Sequence, residues 1–487
     1  MKLNELISAT SVISRIGDGN PDVSAISHDS REVVPGALFF AISGFKMDGA
    51  KFIEDAVQRG AVAIISDTPP HSSLSVPYVQ VKHIRQSLAE LSWKLFDNPE
   101  RKLRLIAVTG TNGKTTIANV LSHILNNCGL SCGVCGTLGI QYGDFQTDSP
   151  RTTPEADVFA PHLRKMVDAG FAACVMEATS IGIELQRVHA LPFDAAIYTN
   201  LSRDHLDFHG SWEAYLQAKL ALFRNLPASS IAVINADDEH AIDFIQASAA
   251  PVATYAVRKS ADYQARNIAL AQGGISFDLC CTKDNYHVEA PLIGMFNVYN
   301  LAAAFAVAHR LGLESHKILQ SLTSVPCVRG RAETVPSSAP FTVVVDYAHT
   351  PDALTKILSS IVELKPRSIL TVIGAGGDRD RGKRPEMTKA AEQYSDKVFL
   401  TSDNPRAEDP HAILSDMASG ITDKSKFTIE ADRRVAIESA LNSAQAGDVV
   451  VIAGKGHETY QEIKGQRYPF DDREIAVKWL FQNNLSA

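Results

Sequence analysis

The stretch that most constrains this chain is Gly110-Thr111-Asn112-Gly113-Lys114-Thr115-Thr116, set between a strand-like run at 103–108 and an amphipathic helical run at 116–127. A strand that turns through glycines into a helix indicates a mostly parallel α/β layer around a phosphate-binding loop. The glycines let backbone N–H groups face an anion, and the helix N-terminus adds positive potential. Lys114 is placed to reach the terminal phosphates of a nucleotide, and a threonine hydroxyl after it is placed to hold Mg2+. The loop is a shortened variant. The usual pattern has its first glycine five residues before the Gly-Lys pair, where this chain has Val108; Gly110 is the nearer one. The reading is an ATP-consuming enzyme rather than a glycine turn without nucleotide.

The rest of the chain gives room for more than one domain. At 487 residues, a prior of roughly 150 residues per domain suggests about three. Three blocks separate at proline-marked joints: 1–98, closing at Asn98-Pro99; 99–330; and 331–487, with a linker-like stretch at 336–340. The first block holds short apolar runs at 37–42 and 61–65. In the third, four β-rich runs (341–345, 368–373, 397–400, 448–453) each end in a polar loop, with helical pattern between them, as at 351–364 and 433–444. Buried β-branched strands alternating with helices predict a doubly wound, Rossmann-like parallel sheet, whose ligands bind beyond the carboxyl ends of the strands.

Charge and composition exclude several function classes. A net charge of -8 argues against a nucleic-acid surface, and no apolar run approaches the roughly 18 residues of a membrane span. Residues 1–10 carry only Lys2 as a positive charge and no extended apolar region, so no secretory signal is read there and a cytoplasmic location is expected. Seven cysteines form a sparse set rather than a disulfide framework. Cys132-Gly133-Val134-Cys135 spells C-x-x-C without a second pair at zinc spacing, and is read, like Cys280-Cys281, as structural.

A metal beside the loop needs ligands from neighbouring strands. The run 174–177 reads as a strand ending in Glu177, and 195–199 as a strand leading into a loop that holds Asp204, His205, Asp207 and His209. A solvated loop alone would explain those charges; a nucleotide loop in the same block favours the metal reading. Trp212, Tyr215, Leu216, Lys219, Leu222 and Phe223 fall on one helical face. The spacing alone favours Lys219 bending from this stripe to solvent. The alternative is a desolvated amine of lowered pKa, able to take up carbon dioxide as a carbamate and to serve as an anionic metal ligand.

These residues, taken in order, resemble the Mur ligase family of ATP-dependent amide-forming enzymes of peptidoglycan precursor synthesis. The resemblance rests on Thr109 through Thr116, Glu177, Asn200 to Asp207 with His205, Gly294-Met295-Phe296-Asn297-Val298-Tyr299-Asn300, Gly330-Arg331 with Glu333, and Asp346 with His349. It covers nearly the whole chain, and is greatest toward members that add the third residue of the stem peptide. It implies a UDP-binding α/β domain at 1–98, a central P-loop ATPase domain at 99–330 and a C-terminal amino-acid-binding domain at 331–487.

The resemblance also implies roles. ATP would be held by Gly110, Thr111, Asn112, Gly113, Lys114, Thr115 and Thr116, with Asn297, Asn300, Arg331, Asp346 and His349. The catalytic set would be Lys114, Glu177, His205 and Lys219, and Mg2+ would sit on Thr115, Glu177, His205 and carbamylated Lys219. The UDP-N-acetylmuramoyl dipeptide would meet Ser30, within Asp29-Ser30-Arg31, and Thr152, Thr153, Thr179 and Arg187. Arg379, Asp403, Asn404, Pro405, Arg406, Gly454 and Glu458 would hold meso-diaminopimelate, because Asp403-Asn404-Pro405-Arg406 is similar to the signature of members that accept it and differs from the lysine-accepting ones. Arg406 could grip the distal carboxylate bidentately and Glu458 could pair with the ammonium. A monomer acting on small molecules is expected, with no nucleic-acid or membrane partner.

Two departures stand out. The family pattern E-x-S-S-H reads here Glu177-Ala178-Thr179-Ser180-Ile181, so an imidazole is missing at Ile181, and Phe45 and Lys46 stand where relatives often carry other polar residues at the uracil. Competing readings are weaker. The N-terminal block argues against a folate polyglutamate synthetase, and Arg379 stands where a dinucleotide motif starting at Gly374 needs its third glycine. A binding module that uses ATP only to switch conformation would not couple ATP cleavage to a UDP-sugar peptide.

Overall fold

The computed structural model describes residues 1–44, 47–70, 74–281 and 284–486. The uracil question raised by Phe45 and Lys46 lies outside the described residues. The backbone divides into two compact units, Met1–Gln264 with Ala302–Ile318, and Ala265–Leu301 with Leu319–Ala487.

The first unit begins with a five-stranded sheet in the spatial order Val12–Ile16, Tyr78–Val81, Ala61–Ser66, Ala37–Phe40, Ala25–Ser27. The first of these runs antiparallel to its neighbour, and the other pairs are parallel. Ala37–Phe40 is buried at every position because both faces are covered, which is why it reads as an apolar run without alternation. Leu38, Phe40, Ala63 and Ile65 face the helices Leu3–Ile7 and Ile84–Leu95, while Phe39 and Ile64 pack on the side of Ala56.

The larger sheet of this unit has a parallel core. Its strands lie in the order Cys132–Gly136, Ala173–Glu177, Arg104–Thr109, Ala195–Tyr198, Ile231–Asn235, Val252–Ala256. An antiparallel meander, Gly139–Tyr142 and Phe145–Thr147, extends it at one side. Arg104–Thr109 therefore lies between the strands that end in Glu177 and Tyr198, so three adjacent carboxyl ends deliver the glycine loop, Glu177 and the 199–205 segment to one crevice. The helix after the loop is Lys114–Asn127, two residues longer at its start than the apolar spacing predicts. Lys114 and Thr115 carry no apolar signal, and Gly113 at φ +88° makes the turn into the helix. Cys132, Cys135 and Cys174 are buried and none of the seven cysteines is in a disulfide; burial pushes the Cys132 thiol up to about 12. Burial agrees with the structural reading of Cys132 and Cys135.

The second unit carries an antiparallel pair, Gly274–Cys281 with Asn285–Ala290, and a six-stranded sheet. The spatial order is Glu333–Thr334, Thr342–Asp346, Val449–Ala453, Ile369–Ala375, Lys397–Ser402, Phe427–Ile429; the first pair is antiparallel and every other pair parallel. Alternate residues face opposite helical layers. Val343, Val345, Leu370, Val372, Val450 and Ile452 pack against Arg433–Ser443 and Asp472–Gln482. Val344, Ile373, Val398, Leu400 and Val451 pack against Pro351–Glu363, Lys383–Tyr394 and Pro410–Ala418. This is the expected doubly wound sheet. Each such side chain contributes about 1.5–3 kcal/mol on burial. Among the described residues no helix is long and apolar enough to cross a membrane.

Candidate functional site

In the first unit the glycine loop is pinned from the neighbouring strand end. Thr111 N donates to Asn200 O at 2.8 Å, Asn112 N to Asn200 Oδ1 at 3.1 Å, and Thr199 Oγ1 to Asn112 O at 2.6 Å. Gly110 sits at φ +142°, where an added Cβ would collide with Thr199 Oγ1. The loop cannot hold a side chain there.

Two lysines share one acceptor. Lys114 Nζ donates to Gly110 O at 3.0 Å and Thr111 O at 2.8 Å, and Lys219 Nζ donates to the same Gly110 O at 3.0 Å. Lys219, on the helix Trp212–Arg224, is 1% exposed, so it does not bend to solvent as the spacing alone favoured. Burial, followed by the nearby charge of Lys114, lowers its pKa well below the usual lysine range, with Asp204 acting in the opposite sense. Both effects favour the uncharged amine over the ammonium.

Glu177, 1% exposed, accepts from Thr115 Oγ1 at 3.0 Å, from Thr137 N at 2.8 Å and from Thr137 Oγ1 at 3.2 Å. Thr137 was not singled out in the sequence; its signal is its place at the end of Cys132–Gly136, one strand over from Glu177. A buried hydroxyl and carboxylate in contact supply the oxygen ligands that Mg2+ prefers, so the residues fit such an ion. His205 takes a left-handed backbone at φ +51°, and its Nε2 lies 3.4 Å from Asp204 Oδ2. Among the described residues no three His, Cys, Asp or Glu side chains form a metal-sized group, so a metal here would draw on Thr115 and a modified Lys219 as well as Glu177 and His205.

The same unit joins the expected peptide-contacting residues to Glu177. Thr153 Oγ1 donates to Glu177 O at 2.8 Å and lies 2.9 Å from Thr179 Oγ1, and Thr137 Oγ1 lies 3.3 Å from Thr152 Oγ1. Arg187 donates through Nη1 to Thr153 O at 3.2 Å and through Nε to Glu155 Oε1 at 2.9 Å. Arg151 and Arg85 reach the same oxygen at 2.8 and 3.4 Å, giving three guanidinium groups on one buried carboxylate. Such an excess of positive charge suits an anionic ligand. Ser30 is buried in the short turn Ser30–Glu32 of the N-terminal sheet region, beside Asp29, which Arg31 holds down to about 2. An imidazole does stand near Ile181: His209 Nε2 lies 3.0 Å from Ser180 Oγ.

In the second unit the remaining candidates lie at the carboxyl ends of four parallel strands, just before the strand Glu333–Thr334, and at the start of the helix Met295–Arg310. Asp346 accepts from Ala332 N at 2.7 Å and Ala348 N at 2.8 Å, and burial raises its pKa. The Arg331 guanidinium lies 5.0 Å over the Tyr347 ring, and burial depresses His349, whose Nδ1 is 2.8 Å from Tyr347 O. Asn297 Nδ2 donates to Ile293 O and Asn300 Nδ2 to Asn297 Oδ1, both at 2.9 Å, so the two amides form one buried chain on the helix.

The loops after Ile369–Ala375 and Lys397–Ser402 are tied together. Gly377 N donates to Asn404 O at 2.9 Å, and Arg406 Nη1 to Gly377 O at 2.8 Å. A Cβ added at Gly376 would meet Arg406 Nη1 at 2.9 Å and Arg379 Cγ at 3.7 Å, so the two arginines flank it. Pro405 continues the loop. Asp403 packs against Gly454, whose φ of +118° leaves no room for a Cβ 2.7 Å from Asp403 Oδ2. Asn404 Nδ2 donates to Glu458 Oε2 at 2.8 Å. Beneath these loops lies a buried pair that sequence reasoning missed: Arg433 donates to Asp472 through Nε at 2.8 Å and Nη2 at 2.7 Å, and to the strand-end carbonyls Ser402 O and Ala453 O. A charged residue at a helix start reads as solvated, so no pattern marks it.

The Mur ligase middle domain family matches residues 108–308, the Mur ligase glutamate ligase domain family residues 330–456, and the Mur ligase family catalytic domain residues 22–93. A UDP-N-acetylmuramoyl-L-alanyl-D-glutamate–2,6-diaminopimelate ligase of Geobacillus thermodenitrificans is 43% identical over 484 residues, covering 98% of each chain. A ligase of the same name from Listeria monocytogenes is 40% identical and covers 97% of each. A solved structure of a ligase of that name superposes with a TM-score of 0.73 at 36% identity, over 99% of both chains. A folylpolyglutamate synthase of Mycobacterium tuberculosis shares the fold alone, with a TM-score of 0.62 at 21% identity, over 76% of this chain and 92% of that one.

Proposed function

The chain belongs to the Mur ligase family, whose members are ATP-dependent amide ligases, and from that premise we propose that it joins meso-diaminopimelate to the D-glutamate of UDP-N-acetylmuramoyl-L-alanyl-D-glutamate. The observation that carries this reading is the second-unit cluster of Arg379, Asp403, Asn404, Arg406 and Glu458, which offers cations and carboxylates together. A diamino dicarboxylic acid has a distal ammonium and carboxylate to satisfy both; lysine would leave the guanidinium side unpaired, and such a site rejects the poorer ligand strongly.

The residues divide the work by chemistry. The backbone of 110–116 and Lys114 cradle the ATP phosphates, with Asn297, Asn300, Arg331, Asp346 and His349 as further nucleotide contacts. Ser30, Thr152, Thr153, Thr179 and Arg187 orient the UDP-dipeptide so that a carboxylate oxygen of its glutamate faces the γ-phosphorus. That oxygen attacks, ADP departs, and an acyl phosphate forms; the amine of diaminopimelate then attacks the acyl carbon, loses a proton, and phosphate leaves as the amide forms. Mg2+, held by Thr115 and Glu177 with His205 and carbamylated Lys219, would supply positive charge to the transferring phosphoryl group. We further propose domain limits of 1–98, 99–330 and 331–487, and a monomer in the cytoplasm.

The test is phosphate release with ATP, Mg2+ and the UDP-dipeptide, with meso-diaminopimelate or L-lysine added in parallel. Turnover with diaminopimelate alone is expected. Turnover with lysine alone would overturn the assignment of Asp403 to Arg406.

A further inference from the structure

Lys455 is a cation with no exposed surface, in a loop whose assigned contacts are Gly454 and Glu458. Its Nζ donates to Asn404 Oδ1 at 3.0 Å and to Glu458 Oε2 at 3.0 Å, and lies 5.6 Å over the Tyr460 ring. Lysines are almost never fully buried unless paired, because desolvating an ammonium costs several kcal/mol. We propose that Lys455 is the positioning residue of the amino-acid site: it fixes the Asn404 amide and the Glu458 carboxylate, and it sets the charge that selects a diamino dicarboxylic acid over a simple diamine acid. The inference rests on the reading of this site as the diaminopimelate site.

The geometry determines which way the Asn404 amide faces. An ammonium has three donors and no acceptor, so Asn404 must turn its oxygen to Lys455. Glu462 N donates to that same Oδ1 at 2.9 Å, a second donor that forbids the flipped amide. Asn404 Nδ2 is thereby aimed at Glu458, and it meets Oε2 at 2.8 Å. Both bonds to Glu458 fall on Oε2; among the described residues Oε1 takes none, which leaves it for the distal ammonium of the substrate.

Charge gives the selection. Lys455 offsets Glu458, so the pair presents an oriented oxygen lone pair with little net negative charge. Arg379 and Arg406 flank Gly376, and Gly377 N ties that turn to Asn404 O. A substrate that brings an ammonium without a carboxylate therefore meets Arg379, Arg406 and Lys455 beside Asp403, Glu458 and Glu462, the last 3.6 Å from Arg406 Nε, and gives the arginines no partner of its own. Only a ligand that also pairs the arginines is bound well.

The experiment compares steady-state kinetics of the full-length wild-type enzyme with the Lys455→Met and Lys455→Gln variants, using meso-diaminopimelate and L-lysine as alternative substrates. Gln keeps donors for Asn404 and Glu458 while removing the charge, and carries the readout if Met prevents folding. In each variant KM for diaminopimelate is expected to rise about tenfold and the diaminopimelate-to-lysine ratio of kcat/KM to fall by about the same factor. KM for ATP and for the UDP-dipeptide is expected to stay within about twofold. A diaminopimelate KM and a substrate ratio that do not move overturn the proposal, as does a parallel rise in all three KM values, which would mark a merely structural lysine. Wild-type turnover with lysine and none with diaminopimelate would instead refute the reading of the site itself.

Discussion

Replacing Asp472 with leucine tests how the second unit holds its site together. The Asp472 and Arg433 side chains are both fully buried, so the substitution leaves a guanidinium in the interior whose acceptors among the described residues are Ser402 O, at 3.3 Å, and Ala453 O, at 3.0 Å. Removing one partner of a buried pair costs about 3–5 kcal/mol, because the remaining charge keeps its desolvation penalty and loses its hydrogen-bonded counter-charge; for Arg433 the more distant Asp403 and Glu458 stay. Replacing both, as Arg433→Met with Asp472→Leu, removes that charge, and an apolar pair in place of a buried ion pair is often neutral or stabilising; what is lost is one hydrogen bond to each of the two carbonyls, about 0.5–1.5 kcal/mol apiece. The double variant should therefore be the more stable of the two. Hydrogen exchange of the amides in Lys397–Ser402 and Val449–Ala453, the strands whose ends Arg433 bonds, measures the opening free energy where the effect lies. A loss below about 1 kcal/mol in the single variant, or a double variant less stable than the single, would refute this account.

Three other variants have expected outcomes. Lys219→Met should fold normally and lose at least about a hundredfold in kcat, the loss found when a charge-stabilising group is removed; near-normal turnover would exclude Lys219 from the chemistry. As a free amine its depressed pKa means the unfolded chain binds the extra proton, so this group makes stability rise with pH toward the ordinary lysine pKa, and Lys219→Met should flatten that slope in metal-free, carbon-dioxide-free urea titrations approaching pH 10. Gly136→Ala should push Glu177 off Thr115, since an added Cβ would meet Glu177 Cδ at 2.8 Å; kcat should fall by roughly a hundredfold while circular dichroism stays unchanged. Burial alone would depress His28, but the Asp157 carboxylate 2.7 Å away, with Glu155, raises its pKa. That stabilisation is complete below the unfolded value near 6.5 and is lost as pH rises through the raised folded value, so Asp157→Asn should lower the melting temperature more at pH 5.5 than at pH 8.5.

The legible parts of the sequence were those carried by period and by glycine. Val343, Val345, Val450 and Ile452 lie in strands covered on both faces, and unbroken β-branched runs declared them. Gly110 and Gly454 occupy backbone conformations that other residues rarely adopt, so their spacing was a reliable guide to loops. Lys219 was half legible. Its place in an apolar stripe was visible, but whether Nζ reaches solvent depends on Gly110 O, an acceptor 109 residues away. Thr137, Lys455, Arg433 and Asp472 were not legible as parts of a site, because each matters through a partner set by strand order rather than by local pattern. Pairing of Cys132–Gly136 beside Ala173–Glu177 is what brings Thr137 to Glu177, and no local spacing encodes that neighbour.

The first unit is not continuous in the chain: it takes in residues 1–264 and then 302–318. Ala302 through Ala308 are fully buried, and Tyr263 Oη meets His309 Nδ1 at 2.8 Å. On a ribosome this unit cannot be finished when residue 264 emerges; its last helical segments arrive roughly fifty residues later. At about 5–20 residues per second the interval is some 3–10 s, long compared with most elementary folding steps. During that time an apolar face awaits its cover. A nascent chain stalled near residue 264 should therefore recruit holdase chaperones more strongly than one extended beyond the exit tunnel past residue 318, and a recombinant fragment of this unit needs the second segment supplied to be soluble.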